Sequence, residues 1–457
     1  MRRLAITLLC TSCLATTSAY ATGFDLREFS ASSLGTSYAG AGANGQHAST
    51  MPFNPALTGW VDDFDISVSA TGVLPTATGD FTTATTSAGN ATGGTTAPSS
   101  IISKAIIPDI AIRKRLSNQF SVGVSVTVPW GLMTKYDDTW AGRYYATKSD
   151  LKTYNITPVV AYQPVPELSI AAGLQVEYIS GNLGKAIDFG LIGCHVNCTN
   201  PLAPPPTPFF HVLPGHDDGS VALKANNWAY GYILGIAWKP NDNLSLGLSY
   251  RSKIDHKLSG TETYTLDAGG VGAFFNAYVP TQTFLDSAAT AKITLPSVLN
   301  VSTRLRIDDK WTAMATVDWT GWSAFKQLLI VPVQPHNSAD LTTFGWRDSW
   351  FGSIGAEYKA NDQLTLRVGT AYDQTPTPSG AATPGIPDSS RIWLSGGIGY
   401  RLSDSVDVDF SVAHLFSGTS HINQLASAPT GENAARGTLI GTVSTGVTLI
   451  GVELAYH

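Results

Sequence analysis

Between Ser390 and His457 the chain alternates apolar and polar residues in segment after segment, and this period of two is what most constrains its fold. Val406, Val408, Phe410 and Val412 share one phase, while Asp407, Asp409, Ser411 and Ala413 share the other. A strand with one apolar face lays it on a core or in lipid. The same pattern recurs at about 63 to 74, 105 to 116, 119 to 130, 151 to 163, 167 to 180, 225 to 239, 243 to 256, 291 to 307, 310 to 319, 347 to 359, 363 to 373, 389 to 402, 405 to 416 and 438 to 456. Short polar turns, such as Pro240-Asn241-Asp242-Asn243 and Ala360-Asn361-Asp362-Gln363, alternate with excursions of roughly 15 to 45 residues. That asymmetry belongs to an outer-membrane barrel and has no counterpart in a soluble sandwich. The expected fold is all-β, a 14-stranded antiparallel transmembrane β-barrel spanning 61–457. Residues 22–60, Gly/Ala/Ser-rich and without strand pattern, are placed as a hatch that plugs the lumen.

The start of the chain gives an address. Met1-Arg2-Arg3, an apolar run from Leu4 to about Leu14, and Ala19-Tyr20-Ala21 have the layout of a secretory signal, so residues 1–21 are expected to be removed before Thr22. Cys10 and Cys13 fit lipidation poorly, because neither follows a Leu by three positions. No later segment supplies the roughly 18 apolar residues of a spanning helix, which leaves the closed barrel as the way to satisfy a backbone in lipid. The expected location is the outer membrane. A charged fraction of 14% and a net charge of −6 offer no surface for nucleic acid.

Cys194 and Cys198 remain after the signal and lie in a Pro-rich loop, where an oxidising compartment favours a local disulfide. His195, His211 and His216 raise a zinc reading, but their spacing matches no metal motif, so no metal is expected. No cofactor is expected either.

The lipid face reads Leu244, Leu246, Leu248, Tyr250 in one strand and Trp228, Tyr230, Tyr232, Leu234, Ile236, Trp238 in another. Pro75 to Lys104, rich in Thr, Gly and Ala, is expected to be an outer loop. Two other outer loops carry Phe209, Phe210, Val271, Phe274, Phe275 and Phe284, read either as loop packing or as an apolar landing surface for a ligand.

Several motifs resemble one family. Thr22-Gly23-Phe24-Asp25-Leu26-Arg27-Glu28-Phe29-Ser30, Leu34-Gly35, Tyr38-Ala39-Gly40 and Asn54-Pro55-Ala56-Leu57 are similar to the hatch of FadL-type outer-membrane transporters. Thr139-Trp140-Ala141-Gly142, Leu295-Pro296-Ser297, Asp318-Trp319-Thr320-Gly321-Trp322-Ser323, Tyr372-Asp373-Gln374-Thr375-Pro376 and Arg391-Ile392-Trp393-Leu394-Ser395 extend the resemblance over nearly the whole mature chain. It implies passive transport of long-chain fatty acids or other hydrophobic compounds, with an outer groove, a luminal pocket next to Phe24, and sideways release at a kinked third strand. The Cys194 to Cys198 loop and the terminal His457, where the family usually ends on an aromatic residue, depart from it.

The chemistry agrees with that implication. An apolar chain gains about 0.8 kcal/mol per methylene removed from water, so it needs apolar steps and not a wet channel. A carboxylate headgroup would want a cation, and strand parity points Arg367 and Arg391 inward. Both also fit a ladder of salt bridges that braces the hatch. In the third strand Gly123 and Pro129 are the expected sites of a bend that opens the wall. Asn54, Pro55 and Ala56 are the expected rigid turn of the hatch. The partners expected are a hydrophobic small molecule, outer-membrane lipid and the barrel assembly machinery, with the protein monomeric. The alternatives are a monoaromatic hydrocarbon channel, a general porin, and an enzyme, although no motif joins His336, His414 and His421 to a nucleophile.

Overall fold

The computed structural model describes residues 23–198, 209–278, 283–428 and 431–457. The signal and the expected start at Thr22 lie outside them. Nineteen strand segments form one antiparallel sheet closed into a 14-strand barrel. In chain order they are β1 (Phe64–Thr85), β2 (Ala105–Arg115), β3 (Phe120–Thr127), β4 (Gly131–Lys135), β5 (Lys148–Val165), β6 (Leu168–Asp188) and β7 (Asp218–Asn241). There follow β8 (Leu244–Arg251), β9 (Ile254–Thr265), β10 (Ser287–Leu295), β11 (Val298–Arg306), β12 (Trp311–Thr320), β13 (Gln327–Pro332) and β14 (Asp340–Thr343). The last are β15 (Ser349–Lys359), β16 (Leu364–Asp373), β17 (Arg391–Ser403), β18 (Val406–Gln424) and β19 (Thr438–Tyr456). The pairs β3/β4, β8/β9 and β10/β11 are each one spanning strand interrupted by a bend, and β13/β14 is a hairpin in an outer loop. Closure joins β1 to β19 from Ile66 opposite Tyr456 to Thr85 opposite Thr438.

The period of two explains the wall. In β1, Ser67, Ser69 and Thr71 are buried inward, whereas Val68 is 48% exposed on the outside. Trp228, Tyr230, Tyr232, Leu234, Ile236 and Trp238 line the outer face of β7. Such a row of exposed aromatic and aliphatic side chains belongs against lipid.

Several strands run farther outward than their alternation predicts. In the upper part of β7 the inward residues are Val221, Leu223 and Ala225 and the outward ones include Lys224 and Asn226. Above the membrane the outside is wet and the inside is apolar, so the polarity of the two phases reverses and the pattern fades from the sequence. The expected outer loop from Pro75 to Lys104 is corrected on the same ground: β1 continues to Thr85, paired with β19. Its pairing with β2 stops at Val73, so Pro75 falls where one edge of the strand no longer needs a donor.

The hatch fills the barrel with short turns. Helix α1 (Ala31–Leu34) is capped by the Ser30 side chain, and 3₁₀ turns follow at Ala41–Ala43, Ala48–Thr50 and Pro55–Trp60. Its residues are almost all buried, including the polar ones. Two further helices, α2 (Phe189–Asn197) and α3 (Val271–Tyr278), belong to outer loops.

Candidate functional site

Polar anchors from the wall position the hatch. Arg113 of β2 pairs with Asp65 at 2.6 Å and donates to the carbonyls of Leu57 (2.8 Å) and Gly45 (2.7 Å). Glu453 of β19 accepts from Ser30 Oγ at 3.0 Å, from the Ser32 backbone at 3.1 Å, and from Ser49 Oγ. Asp318 of β12 holds Arg27 and accepts from Asn300 Nδ2. Burial pushes the Glu28 carboxyl of the hatch up to about 7. Asn54 does two things: its Oδ1 accepts from the Ala56 backbone at 3.0 Å, and its Nδ2 donates to the carbonyls of Gly42 (2.8 Å) and Ile236 of β7 (3.0 Å). Pro55 opens the next turn, where its missing N–H costs nothing.

Above the hatch lies an apolar cavity. Its lining includes Leu132, Leu183, Leu223, Leu258, Ile293 and Phe325. Phe24 belongs to the same lining, as the resemblance implies. Its ring lies 4.8 Å from Trp322, 5.3 Å from Phe325, 5.7 Å from Trp346 and 6.1 Å from Trp130, between centroids. The lining also carries charge: Lys185 Nζ and Arg436 share Asp340 at 2.7 and 2.5 Å, and Glu262 and Glu432 line the cavity too. Lys148 stands 3.7 Å from Asp150 in that lining.

The cavity floor meets a break in the wall. The β2–β3 ladder ends at Ile110 opposite Val126, and the next pairing on that side is the bridge from Ile102 to Thr134. Between them the chain bends at Val128-Pro129-Trp130. Residues 24–26 of the hatch pair with that bend: the Leu26 N–H donates to the Pro129 carbonyl at 2.8 Å and the Gly131 N–H to the Phe24 carbonyl at 2.9 Å. Pro129 is thus at the break. Gly123 is not, and its expected role in the bend is corrected. It sits within the ladder opposite Arg113, where a Cβ would lie 2.6 Å from Met51 Sδ of the hatch. Its missing side chain makes room for the plug.

Arg367 and Arg391 point inward, but neither lines the apolar cavity. Arg367 donates to Glu357 at 2.9 Å and pairs with Asp409, and Arg391 donates to Asp388 at 2.5 Å. In the outer loops α2 and α3 pack together. Val271 and Phe210 form the inside of that contact, with exposures of 0% and 7%, so the expected landing surface is corrected at these two positions: they are loop core. Phe209, Phe274, Phe275 and Phe284 are half-buried around it. Cys194 and Cys198 are joined by a disulfide at the end of α2, which withdraws both thiols from any metal set.

Sequence reasoning missed Trp130, Trp322, Phe325 and Trp346 as a cluster, and Lys185 and Arg436 as cavity cations. The inward parity of β6 (Gln175, Glu177, Ile179), carried five residues past its expected end, would have reached Lys185. Arg436 lies in a loop and carries no such signal.

The family described as "Outer membrane protein transport protein (OMPP1/FadL/TodX)" matches residues 12–457. The long-chain fatty acid transport protein of Escherichia coli strain K12 is 28% identical over 430 residues, covering 90% of this chain and 91% of that protein. Outer membrane protein P1 of Haemophilus influenzae is 26% identical over 440 residues, covering 93% of each. A crystal structure of a Pseudomonas aeruginosa FadL homologue superimposes with a TM-score of 0.83 at 22% identity, over 95% of this chain and 99% of that one. The Pseudomonas putida toluene transporter TodX gives a TM-score of 0.63 at 16% identity, over 95% and 99%.

Proposed function

Since this chain belongs to the OMPP1/FadL/TodX family of outer-membrane transport proteins, we propose that its own cargo is a long-chain fatty acid, carried passively from the outer loops through the apolar cavity to the break in the wall. The family moves hydrophobic compounds across the outer membrane, so the question left for this chain is which compound and by what route.

The observation that carries the reading is the junction of an apolar cavity, the Phe24 aromatic floor and the interrupted β2–β3 ladder. An alkyl chain leaves water in the cavity, gaining about 0.8 kcal/mol per methylene, and returns to an equally apolar medium when it slips sideways into the bilayer. No wet step intervenes. The hatch closes the axial route below the floor with buried, hydrogen-bonded backbone, which disfavours a general porin. Lys185 and Arg436 in the lining offer donors to a carboxylate headgroup, and several relatives carry the name of a long-chain fatty acid transport protein.

A second reading has its own support. The ring cluster around Phe24 is large enough in aromatic surface to favour a monoaromatic hydrocarbon, and TodX is titled a toluene transporter. Mass spectrometry of lipids that copurify with the gently extracted barrel, followed by uptake assays in cells lacking related transporters, separates the two. Copurified fatty acid together with restored growth on oleate supports the first. Toluene uptake without oleate uptake overturns it.

A further inference from the structure

At the periplasmic mouth, below the hatch, three side chains from three separate elements converge. His47 precedes the hatch turn Ala48–Thr50, Asp407 lies near the start of β18, and His457 follows β19. One ligand atom of each lies within 4.8 Å of the others. They line a polar pocket together with Gln46, Tyr400 and Arg401.

We propose that His47, Asp407 and His457 bind a divalent transition-metal ion of the zinc class, which ties the hatch to the barrel wall at its periplasmic end. Two imidazoles and a carboxylate are a donor set that zinc accepts, with bonds of about 2.0 to 2.2 Å and therefore donors roughly 3.4 Å apart in a tetrahedron.

The present partners do not satisfy the group. His47 is 5% exposed, its Nδ1 has no hydrogen-bond partner among the described residues, and its Nε2 stands 3.5 Å from Asp409, which is already held by Arg367. Among the described residues the ion contacts of Asp407 are distant ones, with Arg401 at 3.5 Å and His457 at 3.9 Å. A buried imidazole with an orphan nitrogen, facing a second imidazole and a loosely held carboxylate, is complete only with something between them. The His457 side chain keeps about a third of its surface exposed, which leaves a path of entry from the periplasm.

The test uses the full-length barrel, extracted in detergent, stripped with chelator and titrated with zinc chloride in a calorimeter. Saturable binding of one equivalent is expected, lost in both His47→Ala and His457→Phe but kept in His195→Ala. Asp407→Asn, with the same shape and less charge, should bind more weakly. Heat-modifiable migration on gels shows that each variant has folded. Hydrogen exchange in residues 44–50 should slow on adding zinc to the wild type and not to His457→Phe. Absence of saturable binding, or binding by either histidine variant as tight as that of the wild type, overturns the site. Binding that leaves hatch exchange unchanged overturns the tie.

Discussion

Each luminal cation is best understood through the carboxylate it already holds. Arg367 and Arg391 are buried against Glu357, Asp409 and Asp388, and stripping one partner from a buried pair costs about 3–5 kcal/mol. Arg367→Ala and Arg391→Ala should therefore lower the melting temperature and reduce uptake of a fatty acid and a neutral hydrocarbon alike. Lys185 and Arg436 differ, because both pair with Asp340 in the cavity lining itself, within reach of a bound cargo. Arg436→Ala should slow oleate uptake several-fold more than toluene uptake, at equal surface abundance. Equal slowing of both would assign Arg436 to bracing as well. Inward orientation was readable from parity for Arg367 and Arg391, but partnership was not. Residues such as Glu357 and Arg367 become neighbours only through register between strands, and a single sequence carries register weakly.

At the scale of elements, the hatch is fitted to the wall where side chains are absent. A Cβ on Gly247 would lie 1.9 Å from the Gly42 carbonyl oxygen, and one on Gly369 would lie 2.1 Å from the Thr36 carbonyl carbon. Backbone cannot yield as a flexible side chain can. Gly247→Val should lift the hatch and raise single-channel conductance, while the barrel still migrates as a folded, heat-modifiable species. Asn54→Ala, which loses the link from the hatch to β7 but adds no clash, should impair uptake with a smaller change in conductance; unaltered uptake would remove Asn54 from gating. The break between β2 and β3 has its own test. The register puts Thr127 opposite Asp109 as the next pair beyond Ile110 and Val126, both buried inward. Cysteines at these two positions should, when oxidised, extend the ladder and slow cargo release, and recover on reduction. Release at the normal rate from the oxidised protein would put the exit elsewhere. The wall was legible because lipid outside and polar lumen inside impose alternation on β16 to β19 and their like. The hatch was legible only as an absence of pattern, since turns of three to six residues have no period to display. Pro129, suspected for its missing donor, lies at the break between β3 and β4, whereas Gly123 showed that a glycine in a strand can equally mark a close approach by another part of the chain.

For the whole molecule, an outer-membrane barrel closed by β1 and β19 and plugged by its own first residues has to bring distant parts of the chain together. Glu453 stands in register with Ser69 of β1 and Asp409 of β18, so it belongs to the seam that completes the cylinder. The same carboxylate receives Ser30, Ser32 and Ser49, the last 404 residues away in sequence. Plug and cylinder therefore share their final bond. The hatch completes its seat only when the last strand brings Glu453, so a chain stalled before β19 would be both an open sheet and a loosely stoppered one. Leakiness and incomplete synthesis become one defect, which a cell could sense through its permeability before any misfolded strand edge met another.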